Sequence, residues 1–504
     1  MRTSTQTAAS NGEQKPIGLA ADSPNRAPRP YTRRKELLRE QADKLAVERD
    51  RWAARHPYYY EEEWRYLRFL VPPGKSVLQL GCGNGHLLET LQPSHGVGVD
   101  FSAAKIARAH SAHPGLTFVC ADVENLPDTP ELARTFDVII LPDTIGSLDD
   151  CLATLQDLRR FCHADTRLIV SYYTRLWNPL LLLYTNFAAS QRFVRRNWLS
   201  NQDIANLLQL ADFDVIKQEW RMLVPFRLFG LGRLINRFVA TLPLIRELCL
   251  RNYVVARPRP AAEKAQLSTS VIIPCRNERG NIESAVRRIP RFCDDIEIIF
   301  VEGNSSDSTW EEVLRVQRAY PQVNIKTFQQ AGKGKGDAVR KGFAEARGDV
   351  LMILDADLTM PPEDLPKYYD ALATGKGEFI NGSRLVYPMQ SQAMQFLNHI
   401  ANHAFARLFS FLLNQRYTDT LCGTKVLRRR DYEEIARNRA YFGEFDPFGD
   451  FDLIFGAAKL NLKTAEVPIR YAAREYGEPN ISRFSHGWLL LRMVVFAFMK
   501  LKAF

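Results

Sequence analysis

Short runs of Val, Ile and Leu alternate along this chain with stretches whose apolar residues recur at helical spacing. Brief apolar runs bounded by polar turns mark strands buried on both faces. The first half holds such runs at Ser76–Leu80, Gly96–Asp100, a stretch ending at Cys120, Phe136–Asp143 and Tyr253–Ala256. The second half holds them at Val271–Ile273, Ile296–Val301 and Val350–Leu354, the first ending at Pro274. Strands alternating with helices predict an α/β chain of two doubly wound domains, each built on a parallel sheet covered on both faces. Residues 1–34 mix Ala, Ser, Pro and charge without periodicity and read as a disordered tail. Lys35–Arg55 reads as one charged helix, which Pro57 separates from an aromatic helix, Tyr58–Leu70. The polar, Pro-bearing stretch 258–268 reads as a linker between domains spanning 35–257 and 269–504.

A chain of 504 residues is too long for one ordinary core, which agrees with two domains. Its 67 Lys and Arg exceed its 57 Asp and Glu by ten, a mild excess suited to polyanionic small molecules or an anionic surface and thin support for nucleic acid. Eight scattered cysteines without a C-x-x-C pair exclude a zinc ribbon or disulfide framework and predict a reducing cytosol. Met1–Lys15 has no apolar secretory core, and no uncharged apolar run reaches the roughly 20 residues of a membrane span.

Ser76–Leu80 runs into Gly81-Cys-Gly-Asn-Gly85, where glycines allow the backbone a tight turn and a close approach to a ligand. A dinucleotide fingerprint needs a third glycine at the position held by His86, so NAD is disfavoured. The next strand ends in Asp100, 19 residues after Gly81, where a carboxylate can accept two ribose hydroxyls. Asp122-Val123-Glu124 places further acids after a third strand. Together with Phe136-Asp137-Val138, these segments resemble class I S-adenosylmethionine (SAM)-dependent methyltransferases over about 57–256. That resemblance implies that Gly81, Gly83 and Gly85 cradle the methionine moiety, that Asp100 holds the ribose, and that Asp122 and Val123 lie near the adenine. Gln79 departs from it, standing where the family often has an acid aimed at the cofactor's amino group. No methyl-acceptor signature is visible, and His163, Tyr172 and Tyr173 read as structural.

In the second half, Pro274-Cys-Arg276-Asn-Glu278 follows the first strand and Glu302-Gly-Asn-Ser-Ser-Asp307 the second. Lys335 and Asp337 open a helix after a glycine-rich turn suited to phosphate oxygens. The apolar strand at 350–354 delivers Asp355-Ala356-Asp357. Carboxylates at i and i+2 at a strand end share one side and repel unless a cation joins them, and Mg²⁺ or Mn²⁺ bridging to a pyrophosphate suits oxygen ligands. With Gly382-Ser-Arg384, Asp419…Gly423-Thr-Lys425 and Glu466-Val-Pro-Ile-Arg470, the series resembles family 2 GT-A glycosyltransferases, in the dolichol-phosphate mannose synthase-like branch. The resemblance implies that Pro274, Arg276, Glu278, Glu302, Asp307, Lys335 and Asp337 line a nucleotide-sugar pocket. It further implies that Asp355, Ala356 and Asp357 meet the metal and diphosphate, with Asp355 and Asp357 as ligands, and that Arg384 faces a donor or acceptor phosphate. Glu302 departs from it, where many relatives carry Asp. A nucleotidyltransferase would need a glycine-rich basic loop after the first strand, and none is present.

A lipid phosphate acceptor is already anionic and needs no base, whereas a sugar hydroxyl needs one. Asp446, Asp450 and Asp452 are candidates, with Asp450 preferred. Asp357, Asp450 and Arg384 are therefore the expected catalytic residues. Phe226–Leu250, Gln392–Arg416 and Trp488–Leu501 read as amphipathic helices, so peripheral contact with the cytoplasmic membrane face is an expectation for an otherwise cytoplasmic protein. His399 and His403 have zinc-like spacing but no third ligand in sequence. The expected activity is bifunctional: inverting sugar transfer from a nucleotide sugar to polyprenyl phosphate or a glycan, and methyl transfer from SAM to an unassigned acceptor. The alternative is a glycosyltransferase whose first domain only binds or positions.

Overall fold

A computed structural model describes residues 31–177, 197, 199–260, 264–384, 396–441, 451–469, 472, 474, 476 and 483–504. The expected tail lies outside these residues up to position 30, as do Asp446 and Asp450. The chain divides into two compact units, Met1–Val215 with Cys249–Pro260 and Ile216–Leu248 with Ala261–Phe504. The segment 216–248 thus groups with the second unit, whereas its place in the chain had assigned it to the first half.

Three helices, α1 (Arg33–Lys44), α2 (Ala46–Arg55) and α3 (Pro57–Leu70), precede the first sheet. The single charged helix expected at 35–55 is in fact two, broken at Leu45. Thr32, within the expected tail, caps α1 by accepting from the Lys35 N–H. Pro57 starts α3 at its first turn, where a missing N–H costs nothing.

The first sheet contains β1 (Ser76–Leu80), β2 (His95–Asp100), β3 (Thr117–Cys120), β4 (Phe136–Pro142), β5 (Cys162–Tyr173), β6 (Phe213–Arg221) and β7 (Arg251–Pro258) in the order β3-β2-β1-β4-β5-β7-β6. The second contains β8 (Thr269–Cys275), β9 (Ile296–Glu302), β10 (Asn324–Gln329), β11 (Val350–Ile353), β12 (Phe379–Ser383), β13 (Lys425–Arg428) and β14 (Thr464–Pro468) in the order β10-β9-β8-β11-β13-β12-β14. Both sheets are mixed rather than parallel throughout: β7 runs antiparallel to β5, and β13 antiparallel to both β11 and β12. Their centres are parallel and buried on both faces, as the apolar runs require. Leu78, Val97, Ile139 and Leu168 lie in one core while their neighbours Val77, Ile140 and Ile169 are equally buried. In the second unit Val271, Ile298, Phe300 and Met352 do the same beside Ile272, Ile299 and Leu351. Each such side chain contributes about 1.5–3 kcal/mol of burial, which fixes the register.

Strand β8 continues through Pro274 instead of ending there. Its pairing with β11 stops at Ile272 while that with β9 runs on to Cys275 opposite Glu302, so proline's missing N–H breaks no ladder on the β11 side. Phe226–Leu250 is no continuous helix. Gly230, with φ of 97°, and Leu244, with φ of 68°, divide it into short helical turns. No helix among the described residues is long and apolar enough to cross a membrane. In both sheets the strand order reverses about the centre, between β1 and β4 and between β8 and β11, where open α/β sheets bind ligands at the carboxyl ends of their strands.

Candidate functional sites

At the first switch point β1 enters the glycine loop with Gly81, Gly83 and Gly85 all at positive φ. A side chain at Gly81 would strike the Thr144 hydroxyl, which donates to the Leu80 carbonyl at 2.7 Å. Asp100 is buried at the end of β2, and its carboxylate accepts from the Gly83 N–H at 2.9 Å and the Ser102 N–H at 3.0 Å. A carboxylate has about four acceptor positions, so two remain for a diol. Asp122 is likewise buried and accepts from the Glu124 N–H, while Val123 packs into the core beside it.

Helices α1 and α2 supply partners that the motifs did not announce. Lys35 forms a 2.7 Å ion pair with Asp122 and another with Glu124, whose carboxylate also accepts from the N–H groups of Asp149 and Asp150. Asp43 accepts from the Ser102 hydroxyl at 2.5 Å, and Asp50 from Asn84 and Arg108. The break at Leu45 accompanies this: both acids turn toward the β1 and β2 loops.

A cleft beside the glycine loop is lined by Tyr60, Glu63, Trp64, Gln79, Asn84 and Asp143, among others. Behind it the fully buried Arg251 pairs with Glu63 and, at 2.5 Å, with Asp143. Burial opposes the Arg251 charge, but these two acids outweigh it and hold the guanidinium protonated well above its ordinary range. Tyr59 and Tyr173 share a 2.9 Å hydrogen bond nearby, and burial pushes both phenols up. Tyr172 donates to the Asn197 carbonyl, and His163 lies 3.4 Å from Asp137. Gln79 is 2 % exposed and its Oε1 accepts no hydrogen bond. An orphaned acceptor on a cleft wall, with acids beside it, fits an ammonium-bearing ligand such as the methionine end of SAM.

The second site is assembled from strand ends in the same manner. Beyond β8, Asn277 adopts a left-handed φ of 57° and its side-chain oxygen accepts from the Ser306 N–H, tying this loop to the one after β9. Glu278 is buried, with its N–H donating to Thr309 Oγ1 and its carboxylate accepting from Asn281 at 2.7 Å and Arg474 at 3.2 Å. Burial raises its pKa against the pull of Arg474. Glu302 ends β9 and accepts from the Ser305 N–H and Gln329, which outweigh burial and hold it below the usual carboxylate range. Asp307 accepts from the Thr309 N–H at the start of the next helix, and Asp337 from the Gly332 N–H. Arg276 is exposed and Pro274 half-buried.

Beyond β11, Lys335 reaches Asp355 at 2.7 Å, and Arg474 reaches Asp357 at 2.8 Å. Burial would raise Asp355, yet Lys335, Lys425 and Arg384 outweigh it and hold the carboxyl down. Asp357 also accepts from Thr359, and between them Leu358 is forced to a φ of 53°, a strained value for a bulky residue. Ala356 is buried in the core. A methyl at Gly423 would collide with the Asp355 carboxylate, so this residue keeps space open beside the acid. Arg384 is turned onto Asp419: its Nε, Nη2 and backbone N–H all donate to that fully buried carboxylate, at 2.7, 2.9 and 3.1 Å. Asn381 donates to the Asp419 backbone carbonyl at 2.6 Å and to the Glu466 carboxylate at 3.2 Å, and Glu466 accepts from the Thr418 N–H, so the backbone that carries Asp419 is braced. Asp450 lies outside the described residues, and Asp452 pairs with Arg439 at 2.8 Å.

No three His, Cys, Asp or Glu side chains among the described residues form a ready-made metal cage. Asp355 and Asp357 are nevertheless hard oxygen donors, each already holding a cationic side chain where a divalent ion would compete. They fit such an ion if a substrate supplies further oxygens.

Two domain classes are therefore present. Residues 52–218 match the family model described as a methyltransferase domain, and residues 270–436 match that of glycosyl transferase family 2. Among curated proteins, the chain is 31% identical over 220 residues to the dolichol-phosphate mannosyltransferase of Pyrococcus furiosus, covering 43% of this chain and 59% of that protein. It is 29% identical over 229 residues to a dolichyl-phosphate hexose transferase of Haloferax volcanii, covering 45% of this chain and 92% of that one. Similar solved structures include a SAM-dependent methyltransferase from Thermotoga maritima (18% identity, 44% of this chain and 99% of that chain, TM-score 0.35). Another is glucosyl-3-phosphoglycerate synthase from Mycobacterium tuberculosis (18% identity, 47% of this chain and 80% of that chain, TM-score 0.34).

Proposed function

We propose that the second unit transfers a hexose from a nucleoside-diphosphate sugar to a polyprenyl phosphate with inversion, and that the first unit transfers a methyl group from SAM. The observation that carries the glycosyl reading is the gathering of Glu278, Glu302, Asp355 and Asp357 at the carboxyl ends of β8, β9 and β11, with Lys335 and Arg474 on the acids. Asp355 and Asp357 would hold a divalent ion, whose charge offsets that developing on the leaving nucleoside diphosphate. Lys335 and Arg474 stand ready to pair with phosphate oxygens when they leave the carboxylates. The acceptor phosphate oxygen displaces the diphosphate at the anomeric carbon in one step, and being anionic it needs no base. Glu302 and Asp307 order the loop against which a nucleoside rests. Arg384, clamped by Asp419, is a fixed charge for the donor or acceptor phosphate.

In the first unit Asp100 would hold the ribose diol, Asp122 and Val123 would flank the adenine, and Gln79 would accept from the methionine ammonium. SAM brings an electrophilic methyl, and a sugar hydroxyl of the same product is the acceptor this reading assigns.

The test uses the full chain with Mg²⁺ or Mn²⁺ and labelled nucleotide sugars, following label into organic-extractable polyprenyl phosphate. Label in lipid with wild type and none with Asp357→Asn supports the reading. Donor hydrolysis without lipid product would redirect the search to hydroxyl acceptors and to Asp450. A second reading, in which the first unit binds or positions without turnover, is favoured by two observations: Gln79 in place of an acid, and Lys35 already on Asp122. In calorimetry with S-adenosylhomocysteine on wild type and Asp100→Ala, absence of binding leaves only the positioning role, and binding without transfer of labelled methyl from SAM to the glycosylated product leaves only the binding role.

A further inference from the structure

We infer that the segment from Phe226 to Leu248, joined to the exposed face of the C-terminal helix Arg483–Ala497, docks the second unit onto an anionic lipid surface. Neither matched domain accounts for this region, which lies between residues 218 and 270 and beyond 436. Phe226, Phe229, Leu231, Leu234 and Leu244 are all exposed, Phe229 completely and Leu244 by 84%. The backbone is strained to display them: Leu228, Phe229 and Leu244 all adopt left-handed φ, which costs of order 1 kcal/mol each in a bulky residue. A loop that merely closed a chain would not set its two most exposed apolar side chains at strained positions.

The display stands on an ordered frame. Buried Asn236 accepts from the N–H groups of Leu223 and Val224 and donates back to the Val224 carbonyl. Phe238 stacks on Phe498 at 6.3 Å, joining the segment to the chain's last helical turns, whose helix exposes Trp488, Leu491 and Val495.

Charge selects the occupant. Met222–Leu248 contains four arginines and one acid, and Arg483–Phe504 has no acidic side chain, although its Lys502 is buried on Glu219 and adds nothing to the face. Arg227, Arg233 and Arg492 are exposed among the apolar side chains. Two copies of so basic a face would repel, whereas phosphate headgroups over an acyl layer complement both its features. The inference places the acceptor's membrane next to the proposed lipid-phosphate reaction, but it is tested without donor or acceptor.

Flotation with vesicles of phosphatidylcholine alone and vesicles about one-third phosphatidylglycerol should carry the full chain upward only with the latter. Phe229→Asp with Leu244→Asp should leave the protein at the bottom of the gradient. Arg227→Gln, Arg233→Gln and Arg492→Gln together should lower partitioning about 100-fold. Phe229 and Leu244 are exposed, so thermal unfolding of the double aspartate variant should be unchanged. No flotation with either vesicle, or flotation of the double aspartate variant like wild type, overturns the inference. So does a dimer in light scattering that the same aspartates abolish while vesicles stay unbound. Transfer to a short prenyl phosphate in detergent remains a separate readout, so loss of docking and failure of the glycosyl reading are distinguishable.

Discussion

Replacing Lys217 should stabilise this protein, and by an amount that depends on pH. Strand β6 alternates, so Lys217, Glu219 and Arg221 share one face, and all three are buried. Lys502, fully buried, meets Glu219 at 2.9 Å and Asn414 at 2.7 Å, and Asn414 itself donates to Glu219. Burial brings Lys217 down from 10.5 to about 7 despite the attraction of Glu219, with Lys459, Lys502 and Arg221 adding repulsion. At about 1.4 kcal/mol per pKa unit, keeping this lysine charged inside the protein costs at most about 5 kcal/mol. The sign follows from proton counting. Between pH 7 and 10.5 the unfolded chain holds a proton on Lys217 that the folded chain has released, so stability rises with pH there, by up to about 1.4 kcal/mol per unit. Below pH 7 both states are protonated and the penalty is complete. Lys217→Met keeps the aliphatic stem and removes the charge, so it should raise the urea midpoint most at pH 6, less at pH 8, and negligibly near 10.5. Unfolding of wild type and variant at these three pH values reads the difference directly. A constant difference across the range, or a variant less stable than wild type at pH 6, would refute the reasoning.

Three further outcomes follow from the two sites. Lys35→Met should cost about 3–5 kcal/mol, because it leaves Asp122 and Glu124 buried without their cation; thermal unfolding measures it, and an unchanged midpoint would show the pairs to be worth nothing. Gln79→Glu should tighten S-adenosylhomocysteine about tenfold in calorimetry by giving the ligand's ammonium a charged acceptor, and unchanged affinity would place that ammonium elsewhere. Arg474→Gln removes the cation that lowers Glu278, so the acidic limb of kcat/KM for sugar transfer should move to higher pH; a limb that stays in place would take Glu278 out of the reaction.

Much of the fold and a defined part of each site were legible because their signals are local. Gly81-Cys-Gly-Asn-Gly85 and Asp355-Ala-Asp357 each follow an apolar run by a residue or two, and the structure puts both at the ends of central strands. The direction of β7 is not legible, because an apolar run carries no direction, and β13 offers only Val426 and Leu427 between basic residues, too short a run to mark a strand. The break at Leu45 leaves no mark in sequence because the charged periodicity continues across it.

The partners of the motif residues were hidden for a different reason: they are distant in the chain. Lys35 meets Asp122 across 87 positions, Arg474 meets Asp357 across 117, and Arg251 meets Glu63 across 188. Lys35 and Arg251 are ordinary basic residues in unremarkable local contexts, and Arg474, although it falls in a segment that fits the glycosyltransferase resemblance, carries no local sign of the acid it meets. Yet an acid at a strand end has a physical requirement visible in sequence. Closely spaced carboxylates such as Asp355 and Asp357 repel until cations join them. In sequence a bridging metal answers that requirement, and in the structure Lys335 and Arg474 answer it. The two answers are compatible, because a side-chain cation that keeps the acids ionised and apart would leave them able to take a divalent ion. Arg384 shows the converse. The glycosyltransferase resemblance implies that it faces a ligand phosphate, but Asp419 takes three of its donors, so toward any ligand it would be a fixed charge and not a mobile arm.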